Sequence, residues 1–210
     1  MNHTTIENLI QTYPRKRPPL SKAIQLIYKD QYKQSRSGQG FINWLCQKVE
    51  SWMHWQIVKN TSSGNTLELG AGTLNHIKYE LIKKQHTNYD IVEPSTYFYN
   101  DSNDKIHVSN FYSDIKEIPA GIKYNRIISV ATLEHVTDLP DMLNHCTKLL
   151  NKEGAFQKEM MLHEHVNSAK EVISLLSYYF RDVKIKRFPL PWHHLSLHCY
   201  IEAKNSIRHD

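Results

Sequence analysis

Leu67-Glu68-Leu69-Gly70-Ala71-Gly72 joins a short apolar strand, Thr66 to Leu69, to a turn built on two glycines. Glycine there lets the backbone bend sharply and approach a ligand without a Cβ in the way. Such a turn is common, and its carboxylates make this one specific. Glu68 lies two residues before Gly70, on a strand where burying a charge is costly without a partner. A cationic ligand group or the loop's own amides are candidates for that partner. Glu93 ends the next strand, in Tyr89-Asp90-Ile91-Val92-Glu93-Pro94, about 20 residues beyond the glycines. An acidic side chain at that place can accept both hydroxyls of a ribose, so the pattern points to a nucleoside ligand.

Working outward, the chain alternates short apolar strands with amphipathic helices. Expected strands are Thr66 to Leu69, Tyr89 to Val92, Lys105 to Val108 and Arg126 to Val130, with helices beginning near Leu74, Tyr97 and Asp138. This alternation implies an α/β fold, a parallel sheet covered by helices on both faces. The last third changes period. Val183 and Ile185 alternate with lysines, and Leu195, Leu197, Cys199 and Ile201 alternate with polar residues. Period two means half-exposed strands, and the two prolines between them, Pro189 and Pro191, favour an antiparallel hairpin at the sheet edge over a helical crossover. Upstream, Leu20 to about Asn60 has helical spacing and many aromatics, so residues 1–60 are expected to form a helical N-terminal cap and residues 61–210 the α/β domain.

Two nucleoside classes compete for the glycine loop. A dinucleotide fingerprint wants G-x-G-x-x-G, but position 75 is Asn75, and Glu68 would add negative charge beside a pyrophosphate. S-adenosylmethionine carries an amino group and a sulfonium instead, which suit an acidic loop.

With these residues in place, the chain resembles the class I S-adenosylmethionine-dependent methyltransferases of small-molecule type. Leu67 to Thr73 is similar to their first motif, and Ile91-Val92-Glu93-Pro94-Ser95 to the acidic segment after it. Ser113-Asp114-Ile115-Lys116-Glu117-Ile118-Pro119, Ile128-Ser129-Val130-Ala131-Thr132-Leu133-Glu134-His135-Val136 and Leu149 to Ala155 resemble three later segments, in the right order. The resemblance covers roughly residues 60–204. It implies a Rossmann-like, doubly wound, mainly parallel seven-stranded sheet with an antiparallel last strand. It also implies that S-adenosylmethionine is held by Glu68, Gly70, Ala71, Gly72, Glu93, Pro94, Asp114, Ile115 and Ser129. Thr73, Asn125 and Glu153-Gly154 depart from the family pattern, and the segment after strand five, Ala155 to Asn167, is short. That shortness leaves open a module that binds cofactor without turning over.

Each site has a plainer alternative. Asp114 precedes a turn, where aspartate also serves as a cap. His135 follows strand four at the sheet's C-terminal edge, where it could act as general base on a hydroxyl, or simply organise the next helix. His163, His165, His193 and His194 form pairs that lack the carboxylates or cysteines of a metal signature, so no metal is assigned. Trp44, Trp52, Trp55, Tyr97 and Tyr99 could stack on an acceptor ring, although such spacing is commoner on the apolar face of a docked helix.

A net charge of +5 with 13 His makes the chain mildly basic. Arg15-Lys16-Arg17 lies among prolines and reads as a solvated linker. The motifs after strand four resemble those of small-molecule enzymes, so the expected partner is a small acceptor, a sugar or metabolite hydroxyl, without a clear nucleic-acid signature. No apolar run is long enough to span a bilayer, the start is polar, and Cys46, Cys146 and Cys199 lack disulfide or zinc spacing, which together place the chain in the cytoplasm. The sequence does not specify the acceptor atom or the oligomeric state, and an NAD-dependent oxidoreductase or a nucleic-acid methyltransferase remain as rivals.

Overall fold

A computed structural model of the chain describes residues 3–16, 41–59, 64–83, 86–161, 166–188 and 198–207. Its strands are β1 (Gly64–Leu69), β2 (His86–Val92), β3 (Asn110–Tyr112), β4 (Tyr124–Val130), β5 (Leu150–Met161), β6 (Phe180–Phe188) and β7 (His198–Ser206). Its helices are α1 (His3–Ile10), α2 (Phe41–Lys59), α3 (Ile77–Lys83), α4 (Leu139–Leu149) and α5 (Ala169–Tyr179). The strands make one sheet in the order β3-β2-β1-β4-β5-β7-β6. The first five pair in parallel, and β7 runs antiparallel to both β5 and β6. This is the doubly wound, seven-stranded sheet expected from the sequence, with the β6–β7 hairpin at its edge.

Side chains alternate between the two faces of each strand, and the two faces differ in chemistry. On one face Leu67, Leu69, Ile127, Phe156, Cys199 and Ile201 meet Leu139, Leu143 and Cys146 of α4 and Val172, Leu175 and Leu176 of α5 in one apolar core. Leu9 and Ile10 at the end of α1, and Tyr13 just after it, pack onto the same core. The opposite face has a smaller apolar cluster of Tyr89, Ile91, Ile128 and Tyr200 with Ile57 of α2 and Ile77 of α3. That face also buries polar groups, described below. Local signals fix the helix starts. Asp138 caps α4 by accepting from Asp141 N, and Ser168 with Glu171 forms a reciprocal capping box at α5.

Three expectations need correction. Lys105 to Val108 is no strand: Asn103–His107 forms a 3-10 turn, capped by Ser102 accepting from Asp104 N, and Ile106 is 83% exposed. The third strand comes after it, at Asn110–Tyr112. The helix expected near Tyr97 is only the 3-10 turn Thr96–Phe98, which gives way to the turn-forming run Asn100-Asp101-Ser102. The helix expected near Leu74 begins at Ile77, because Leu74 sits at a left-handed φ of 63° that a helix cannot contain.

Candidate functional site

The chain runs one way from β1 through β2 to β3 and the other way from β4 onward, so the order reverses between β1 and β4. Ligands of open α/β sheets bind outside the strand C-termini at such a reversal. Two glycines shape the loop there. Gly70 has φ +67° and Gly72 φ +51°, and a Cβ on Gly70 would lie 2.3 Å from Thr132 Cγ2. Thr132 Oγ1 is shared between Val130 O at 3.0 Å and Gly70 O at 3.3 Å, so the loops after β1 and β4 lie against each other. Ala131 in the second loop also has a left-handed φ of 50°. Strained non-glycine backbone of this kind gathers at functional sites.

Glu93 ties the first loop to the end of β2. Its Oε2 accepts from Gly72 N at 2.9 Å and its Oε1 from Ser95 N at 3.0 Å, while Gly70 N donates to Val92 O at 2.7 Å. An ionised carboxylate offers about four lone-pair directions. Two are used here, by backbone amides, and the residue is 7% exposed. Asp114 is exposed at the end of β3, where Oδ1 accepts from Lys116 N at 2.9 Å and caps the turn Ile115–Glu117. Its cap role is real, and its exposed position leaves acceptor capacity for an amino group. Ala71 is a buried member of the loop, Pro94 is exposed beyond it, and Ile115 belongs to the apolar core. Ser129 is fully buried in β4, its hydroxyl without a hydrogen-bond partner among the described residues. His135 is half-buried in the 3-10 turn Leu133–His135 and donates from its backbone N to Thr132 O at 2.8 Å. Carboxylate acceptors at Glu93 and Asp114 beside a loop held open by left-handed glycines are an acceptor set of the kind an adenosine-containing ligand requires.

Glu68 finds its partner inside the protein. It is 2% exposed, and Tyr89 Oη donates to its Oε2 at 2.6 Å. Burial raises its pKa to about 8, against the opposing effect of the Tyr89 hydrogen bond, so the carboxyl is protonated at neutral pH. Glu68 is therefore a neutral group inside the sheet, paired across to Tyr89 of β2.

Sequence reasoning missed three further polar clusters. On the same face as Glu68, Arg126 Nη2 lies 2.7 Å from Glu80 Oε2, Glu80 Oε1 lies 2.8 Å from His76 Nε2, and His76 Nδ1 lies 2.8 Å from His54 Nδ1 of α2. Burial lowers the His76 pKa to about 4. Burial alone would raise that of Glu80, but His76 and Arg126 bring it down to about 2. His76 is thus neutral, donating through Nε2 to an ionised Glu80 and accepting at Nδ1 from His54. In the second cluster, Lys158 Nζ of β5 meets Glu134 Oε2 at 2.8 Å, both side chains at most 1% exposed. Burial pushes the Glu134 carboxyl up, and Lys158 more than reverses this, leaving it below its ordinary value. Third, Arg15 is no linker residue: its Nη2 pairs with Glu171 Oε1 at 2.6 Å. Arg17 and the four paired histidines lie outside the described residues. Of the aromatics, Tyr99 is buried against Phe111 with ring centroids 5.1 Å apart, Trp55 meets Tyr79 edge-on, and Tyr97 and Trp44 are exposed.

No protein-family model matches the chain, and no curated protein does. Solved structures do match in shape. A methyltransferase dependent on S-adenosylmethionine from Archaeoglobus fulgidus aligns at a TM-score of 0.65 with 14% identity, over 84% of this chain and 99% of that one. The plantazolicin methyltransferase BpumL, solved with S-adenosylhomocysteine, aligns at 0.60 with 14% identity, over 96% and 98%. The N-methyltransferase NodS from Bradyrhizobium japonicum aligns at 0.58 with 15% identity, over 72% and 93%. Together with the strand order and the reversed seventh strand, these matches show that the chain has the Rossmann-like fold of class I S-adenosylmethionine-dependent methyltransferases.

Proposed function

We propose that the chain is a methyltransferase that takes S-adenosylmethionine as donor and a small molecule as acceptor. The observation that carries this reading is Glu93, whose carboxylate accepts from the Gly72 amide at the switch point of the sheet. In this account Gly70, Ala71, Gly72 and Pro94 shape the donor cradle, Glu93 takes the ribose, and Asp114 and Ile115 border the adenine. Glu68 and Ser129 lie beneath. When bound, the donor supplies an electrophilic methyl group on a sulfonium. The protein's task is then to hold an acceptor nucleophile in line with that group and keep water away.

His135, on the loop after β4, is proposed to contact the acceptor and, for a hydroxyl, to take its proton. A sugar or metabolite hydroxyl is the acceptor proposed. The solved neighbours include an N-methyltransferase, so their shared fold does not select the acceptor atom. We place the activity in the cytoplasm, in keeping with free, buried thiols at Cys146 and Cys199. Among the described residues no helix is long and apolar enough to cross a membrane. Residues 1–60, of which 17–40 lie outside the described residues, are proposed as the N-terminal part carrying α1 and α2, and 61–210 as the methyltransferase domain.

A second reading, a module that binds the donor without transferring methyl groups, is favoured by the brief connection from Met161 of β5 to Ala169 of α5. The test is release of S-adenosylhomocysteine with a panel of sugar, phenol, amine and carboxylate acceptors. Acceptor-dependent release supports the enzyme. Donor binding with no release across the panel supports the module.

A further inference from the structure

The loop Leu133–Val136 carries His135, and its carbonyls are unusually well held. Asn167 Nδ2 donates to Leu133 O at 2.8 Å and to Val136 O at 2.7 Å. Between them, Glu134 O accepts from Val166 N at 2.8 Å and Asn167 N at 3.1 Å. His135 therefore cannot shift without breaking several bonds at once. The whole arrangement depends on one amide facing one way. Asn167 is 1% exposed, and turning its amide over would set Oδ1 against two carbonyl oxygens.

The amide is oriented by residues far away in sequence. Tyr13 Oη donates to Asn167 Oδ1 at 2.7 Å, and Arg15 Nη1 reaches the same oxygen at 3.4 Å and Val166 O at 2.6 Å. Arg15 is itself anchored twice, by Glu171 at the start of α5 and by its own backbone N donating to Thr137 O at 2.8 Å. The short segment after α1 thus bridges the loops that follow β4 and precede α5.

We infer that Tyr13 and Arg15 are positioning residues, acting through Asn167 to fix the loop that presents His135. The consequence for function rests on the proposal that this loop faces the acceptor. The geometry of the strap does not. Removing both donors leaves the buried Asn167 Oδ1 unsatisfied and loosens the amide that holds the Leu133 and Val136 carbonyls.

The test is residue-resolved hydrogen exchange on the full-length Tyr13→Phe/Arg15→Gln protein. The amides of His135, Val136, Val166 and Asn167 should exchange at least about tenfold faster, while those of Gly70 and Gly72 keep their wild-type rates. The His135 ring resonance should shift as well, and Arg15→Lys, which keeps the cation and one set of donors, should show a smaller effect. The inference is overturned if the four loop amides stay within about twofold of wild type and the ring resonance is unmoved. It is also overturned if every amide, Gly70 included, speeds up equally in both variants, since the strap would then only add global stability. Titration of wild type with S-adenosylmethionine separates the two claims: absence of binding would remove the methyl-donor reading and leave the exchange result standing.

Discussion

The carboxyl of Glu68 lies inside the sheet with the Tyr89 hydroxyl donating to it, and its pKa of about 8 stands well above the ordinary value of 4.5. A raised carboxyl pKa stabilises the fold fully below the unfolded value and loses that contribution as pH rises through the folded one. Glu68 should therefore cost stability progressively between pH 4.5 and about 8. Glu68→Gln keeps the shape and stays neutral. Its stability relative to wild type should climb across that window in urea unfolding, and a constant difference between the two proteins would show that Glu68 is not held protonated. Of the two carboxylates that stood out in the sequence, Glu93 is where the glycine loop needs an acceptor. Glu68 turned inward because Tyr89, on the paired strand, offered a hydroxyl that no local spacing announces.

At the scale of elements, two buried polar links join pieces of the fold that the sequence reads as independent. Arg126, Glu80, His76 and His54 run from β4 through α3 to α2. His76 has a lowered pKa of about 4 against 6.5, so its contribution is complete above pH 6.5 and disappears as pH falls through 4. His76→Gln retains a donor for Glu80 without the titration. The acid loss of stability between pH 6.5 and 4 should be smaller in this variant, and unfolding curves with the same pH slope as wild type would refute the assignment. Lys158 and Glu134 link β5 to the loop after β4. Lys158→Met leaves a buried carboxylate unpaired and should cost about 3–5 kcal/mol, most of it recovered in Lys158→Met/Glu134→Leu. Equal losses in the single and double variants would mean the lysine acts by packing alone. These links escaped the sequence because their partners are far apart along the chain and periodicity reports only neighbours on one element. The misplaced third strand has the opposite cause. Ile106 and Val108 alternate with Lys105 and His107 as a strand would, but the real β3 is three residues long and too short to show a period.

For the whole molecule, the alternation of strands and helices from Thr66 to Val130 and the period-two pattern near the C-terminus were enough to specify a parallel sheet closed by an antiparallel hairpin. Topology then puts the glycine loop, Glu93, Asp114 and His135 at one edge of the sheet, because each follows the C-terminal end of a parallel strand. The fold also separates its faces by chemistry, an apolar core under α4 and α5 and a partly polar one under α2 and α3. The acceptor was not legible, since shape at this edge is shared by enzymes that methylate different atoms.

Under the proposed function, this edge binds the methyl donor through Glu93. Calorimetric titration with S-adenosylmethionine and S-adenosylhomocysteine, beside Glu93→Ala, tests it most directly. Wild type should bind with micromolar affinity, weakened by about 1–3 kcal/mol in the variant. A folded wild-type protein that binds neither compound, or a variant that binds as tightly as wild type, would contradict it.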